Sequence, residues 1–92
     1  MFVILEPVSG TPEENLERAR MEITRVLNFR GSVTDVKAEG TRVIAQFEIN
    51  PKWDLPMSEK VKCLKEWIPA KVRAVFRVHK VSGNENQRRK SQ

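Results

Sequence analysis

Two rhythms of apolar residues alternate along this chain, one of period two and one of period 3.6, and their order predicts six elements. Residues 1–6 are apolar on both faces, through Met1, Phe2, Val3, Ile4 and Leu5, as in a central strand of a covered sheet. Pro7 and Gly10 end that strand. Thr11-Pro12-Glu13-Glu14 then predicts a helix start. Thr11 serves as N-cap, Pro12 suits the first helical position, and Glu14 completes a capping box. Leu16, Ala19, Ile23, Val26 and Leu27 follow at helical spacing as one stripe. Acids crowd the early turns and Arg25 and Arg30 the late end, which suits the helix macrodipole. Gly31 is the expected stop.

Residues 32–39 and 41–49 predict a hairpin turning at Glu39-Gly40-Thr41. In its second strand Val43, Ala45, Phe47 and Ile49 face one way, and Arg42, Ile44, Gln46 and Glu48 the other. The first strand holds only Val33, Val36 and Ala38 and reads as an edge. After a loop with two prolines, Ser58 is the expected cap of a second helix carrying Val61, Leu64, Trp67 and Ile68, and Pro69 its stop. A last strand is expected over Lys71–Val81. There Val72, Ala74, Phe76 and Val78 form one side, and Lys71, Arg73, Val75, Arg77 and His79 the other. Residues 1–81 read as a single α+β domain. Residues 82–92, polar and rich in Gly, Asn, Gln and Arg, read as a disordered basic tail.

The order strand–helix–strand–strand–helix–strand is similar to the split βαβ pattern of the ferredoxin-like fold. That βαββαβ topology implies an α+β class: a four-stranded antiparallel sheet in the order 4-1-3-2, with two helices on one face. Right-handed crossovers send both helices to the same side. The resemblance is one of topology over residues 1–81, and this superfold hosts many unrelated functions.

Composition narrows the picture further. The 92 residues are 39% hydrophobic and 32% charged, globular rather than disordered. The five-residue apolar start lacks a basic flank, so neither a signal peptide nor a membrane span is expected. The lone cysteine, Cys63, cannot form an internal disulfide, and a cytoplasmic location is the default. Net charge is +5, but unevenly spread. Residues 1–50 hold six Lys/Arg against eight Asp/Glu, a net −2, while residues 51–92 hold eleven against four, a net +7. Lys60, Lys62, Lys65, Lys71, Arg73, Arg77 and Lys80 are opposed only by Glu66 within 21 residues.

A helix-free sheet face would carry the basic side of the last strand, so the leading expectation is a non-enzymatic module contacting RNA or DNA phosphates. The expected contacts are Lys62, Lys65, Lys71, Arg73, Arg77, His79 and Lys80, with Arg88 and Arg89 of the tail. Arg73 and Arg77 are the principal ones, as phosphate contacts rather than base readers. An RNA-recognition-motif mode is disfavoured, since segment 42–49 supplies one aromatic, Phe47, and assigns it to the core. The alternative is a protein-interaction or regulatory module, an inhibitor or a homodimer among its forms. It would use the apolar centre of the same face, with Ile44, Val75 and the loop residue Trp53 as contacts. Trp67 is expected in the core.

No enzyme is expected, and no catalytic residue is assigned. Catalysis of the common kinds needs a nucleophile beside a base, paired carboxylates in a cleft, or a metal. One His and one Cys make no zinc set, so neither metal nor cofactor is expected. Ser9-Gly10-Thr11 suggests an anion pocket, but Glu13 and Glu14 would repel phosphate there. Of ferredoxin-like enzymes, the cysteine cluster of iron–sulfur proteins and the arginine-bearing glycine loop of acylphosphatases are both missing.

Overall fold

The structure, a computed structural model, describes residues 1–83. Six principal elements follow in order: β1 (Phe2–Pro7), α1 (Leu16–Leu27), β2 (Gly31–Glu39), β3 (Arg42–Ile49), α2 (Met57–Val72) and β4 (Phe76–Ser82). All strand pairings are antiparallel, and the sheet order is β2-β3-β1-β4. This is the ferredoxin-like α+β architecture with the expected strand order, counted from the opposite edge.

α1 begins as its sequence predicts. The Thr11 N–H donates to Glu14 Oε1 (3.0 Å), and the Glu14 N–H donates to Thr11 Oγ1 (3.2 Å). That reciprocal pair satisfies two otherwise orphaned groups, and the turn it closes is 3₁₀ over Glu13–Asn15 before the helix becomes α. Asn15 is buried, its side-chain amide donating to the carbonyls of Ser9 and Thr11. The stop differs from expectation. Asn28 takes the left-handed conformation (φ 46°) and its N–H donates to the Thr24 carbonyl. Gly31 instead opens β2, where a Cβ would lie 2.3 Å from the Glu48 carbonyl oxygen.

α2 departs further. The residue before it is Pro56, Ser58 is its second residue, and no side chain caps its first turn. Pro69 lies inside the helix, which continues to Val72. A proline there leaves the Lys65 carbonyl without its usual donor. Burial outweighs that loss: Val61, Leu64, Ile68 and Val72 lie three or four residues apart and are all buried. Each fully buried side chain of this size contributes about 1.5–3 kcal/mol. Residues 71–72 are therefore helical, Arg73–Val75 turn, and β4 begins only at Phe76.

The core lies between the helices and one sheet face. Val3, Leu5, Val43, Ala45, Phe47 and Phe76 meet Ala19, Ile23, Leu27, Leu64, Ile68 and Val72 there. Ala74, expected in that set, is exposed in the turn, and Val78 and Ile49 are half-buried. Among the described residues no helix is long and apolar enough to cross a membrane. The expected tail, with Arg88 and Arg89, lies outside the described residues from 84 onward.

Candidate nucleic-acid interface

Strand register determines what the helix-free face presents, because directly paired residues of antiparallel strands share a face. Lys37 pairs with Ile44, Ile44 with Ile4, and Ile4 with Lys80, giving one row across all four strands. The next row runs Asp35, Gln46, Phe2, Ser82. The apolar centre of the face is thus Phe2, Ile4 and Ile44, all half-buried. Asp35, Glu39 and Glu48 answer Lys37 and Arg42 on the β2–β3 side. That half of the sheet is mixed in charge, and basic residues dominate only toward β4.

A bulge governs β4. Leu5 pairs with Val78 but Ile4 pairs with Lys80, so His79 is the extra residue. Strict alternation from Phe76 would turn Lys80 toward the helices. The bulge instead places it with Arg77 on the open face. His79 Nε2 lies 2.7 Å from Glu6 Oε1. That hydrogen bond is the main cause of the lowered pKa of the Glu6 carboxyl. Desolvation opposes it, and the charges of His79, Arg77 and Arg42 reinforce it.

Beside this edge strand the basic residues of α2 join those of β4. Lys62 and Lys65 are one helical turn apart and line one depression with Ser58 and Val61. Lys65 also lines the adjoining groove with Pro69, Val78, His79, Lys80 and Val81. The two depressions share Lys65, and among the described residues no acid lines either, although Glu6 is engaged with His79. Lys62, Lys65, His79 and Lys80 are therefore brought together, with Arg77 exposed on the same strand.

Three expected contacts do not join them. Lys71 is in the last turn of α2, and Arg73 follows that helix, so neither is on the open face of β4. Val75, expected as an interface residue, is part of the turn. Its carbonyl accepts from the Val8 N–H, and its side chain packs against the core. The cause is common to all three: the extra helical turn removes residues 71–75 from the strand. Trp53 is half-buried on the core rim, stacked on Trp67 with ring centroids 5.8 Å apart. Trp67 is likewise half-buried rather than interior.

A second concave region was not legible in the sequence. Arg25, Val26, Asn28, Arg30, Trp67 and Lys71 line a cleft of about 360 Å³ on the helical layer. The Arg30 guanidinium lies 5.1 Å from the Trp67 ring centroid and 5.7 Å from that of Trp53. Arg25 pairs with Glu22 and makes a long hydrogen bond to the Lys71 carbonyl (3.4 Å). Arg25 and Arg30 read in sequence only as helix-end charges. No local signal links them to Trp67 and Lys71, some forty residues away.

Among the described residues no group of three or more His, Cys, Asp or Glu is placed to hold a metal ion. Cys63 is half-buried on α2. Comparison with protein-family models, with characterised proteins and with solved structures returns no significant match for this chain.

Proposed function

We propose that this chain is a non-enzymatic module that binds nucleic-acid phosphates along the α2–β4 side of the domain. One observation carries this reading: Lys62, Lys65 and Lys80 line two depressions that share Lys65, with no acid among their described lining residues. Phosphate recognition needs cations gathered on one surface, where each contact releases condensed counterions. Arg77 extends the stripe along β4, and Arg73 is withdrawn as a principal contact. The mixed charge of the β2–β3 side favours an edge-on approach over one that covers the whole sheet. Exposed lysines around a groove position a backbone and carry little base discrimination. The single sheet-centre aromatic, Phe2, agrees with weak sequence preference.

The test is fluorescence anisotropy of labelled single- and double-stranded oligonucleotides at several salt concentrations. With Lys62, Lys65, Arg77 and Lys80 engaged, affinity falls about a hundredfold between 50 and 200 mM salt. Lys65→Glu with Lys80→Glu abolishes binding at the upper end and flattens the salt slope by about two. Absence of binding at low salt, or a double variant that binds as well as the parent, overturns the proposal.

A second reading has its own observation. Phe2, Ile4 and Ile44 meet at the centre of the open face, and an apolar centre with a charged rim suits a protein partner or a second copy of this chain. Association that survives 1 M salt and involves no nucleic acid would favour that reading.

A further inference from the structure

We infer that the cleft between the end of α1 and the last turns of α2 is a separate receptor for a terminal phosphate monoester, with Arg30 as its principal ligand. Three cations from three segments converge there: Arg25 on α1, Arg30 in the α1–β2 connection, and Lys71 on α2. Among the described residues no acid lines the cleft, and the nearby Glu22 is engaged with Arg25.

The state of Arg30 distinguishes this cleft from an ordinary basic surface. Its guanidinium is held against two indole rings, yet it makes no hydrogen bond or ion pair to the protein among the described residues. Its backbone is fixed as well. The Asn50 N–H donates to the Arg30 carbonyl (2.7 Å), and the Asn50 side-chain amide donates to the Phe29 carbonyl (3.0 Å). Asn28 and Phe29 both take positive φ, 46° and 72°, which leaves Phe29 89% exposed and sends Arg30 back toward the tryptophans. Such conformations cost on the order of 1–3 kcal/mol each and persist only where surrounding contacts hold them.

A guanidinium offers five N–H donors in a planar fork that matches phosphate oxygens. Held by stacking, it loses little freedom on binding, so its donors are pre-organised for an anion. The Lys71 side chain, also without a hydrogen-bond or ion-pair partner among the described residues, adds a mobile point charge on the other wall. A terminal phosphate carries about −1.5 to −2 charge at neutral pH, against −1 for an internal diester. A concave site where Arg30 and Lys71 have no ion-pair partner among the described residues, beside an Arg25 paired to Glu22, discriminates in favour of the former. The phosphate could belong to a free nucleotide or to the 5′ end of a strand, and the chemistry of recognition is shared.

The cleft has a built-in reporter, since the only two tryptophans of the chain, Trp53 and Trp67, both contact Arg30. The full chain is titrated with AMP, with a 5′-phosphorylated hexanucleotide and with its 5′-hydroxyl counterpart, following tryptophan emission excited at 295 nm. A saturable change with AMP, with the phosphorylated hexanucleotide, or with both is expected, and none with the hydroxyl form beyond what high salt removes. AMP alone identifies a free nucleotide as the source; the hexanucleotide alone identifies a strand end. Lys71→Gln, at an exposed side chain, keeps the fold and weakens the response about tenfold, while Arg30→Gln abolishes it. No saturable response, equal responses to the phosphorylated and hydroxyl hexanucleotides, or a response unchanged in Lys71→Gln overturns the inference. The inference does not rest on the α2–β4 stripe: Lys65→Glu with Lys80→Glu leaves the AMP response intact, so the two proposals fail separately.

Discussion

The two basic regions of this domain are built differently. The stripe beside β4 is made chiefly of lysines on regular elements, gathered by the spacing of α2 and by a bulge, and those lysines, with no ion pair among the described residues, can follow a polyanion. The cleft at the end of α1 is made chiefly of arginines with assigned partners, one on Glu22 and one on a pair of indoles. Lysine is a flexible point charge and arginine a planar fork. The first arrangement suits an extended anion of loose register, the second a compact anion in one pose. Rigidity rather than net charge separates the two, so substitutions that loosen the scaffold must affect them unequally.

The largest expected effect comes from Gly31→Ala. A Cβ there meets the Glu48 carbonyl oxygen at 2.3 Å, and backbone must move. Overpacking of this kind costs about 3 kcal/mol, and it displaces the segment that carries Arg30. Chemical denaturation should show the loss. Where the variant remains folded, the AMP response should vanish while oligonucleotide anisotropy persists. Equal loss of both would break the contrast.

Trp67→Ala is next. It removes half-buried surface, the stack on Trp53 and the nearer ring beneath Arg30, at a cost of about 2 kcal/mol. Arg30 then loses its support, whereas Lys65 and Lys80 keep theirs. Oligonucleotide affinity within twofold of the parent, together with loss of the AMP response followed through Trp53 emission, would sharpen the distinction.

The smallest effect concerns the Glu6–His79 pair at the bulge. The Glu6 carboxyl titrates below its ordinary value of 4.5 in the folded state, chiefly because of the His79 hydrogen bond. Its stabilising contribution is therefore fully present above about pH 4.5 and is lost as pH falls through the lowered folded value. Thermal unfolding from pH 6 to pH 3 should show the parent losing stability faster than Glu6→Gln below pH 4.5. Parallel curves would mean that the pair does not hold the bulge.

Elements differ in how far their sequence alone revealed them. The start of α1 was legible because Thr11 and Glu14 satisfy each other across three residues. The hairpin was legible because Gly40, at φ 64°, supplies the conformation its turn requires. The end of α2 was misread because Lys71–His79 alternates in period two while Val61, Leu64, Ile68 and Val72 continue the helical stripe. Both patterns are present in the same residues, and Pro69 tipped the choice toward the wrong one. Of the expected contacts, Lys62, Lys65, His79 and Lys80 line two depressions that share Lys65 and Arg77 is exposed on the same strand as His79, whereas Lys71, Arg73 and Val75 fall elsewhere for this one reason.

What the amino-acid order determined unaided was the identity and succession of the elements, hence the ferredoxin-like topology, because capping and periodicity act over a few neighbouring residues. The tertiary structure alone decided where α2 ends, that His79 bulges and turns Lys80 outward, and that Arg30 rests on Trp53 and Trp67. Those outcomes depend on burial and register between segments dozens of residues apart, where packing against the sheet outweighs local preference.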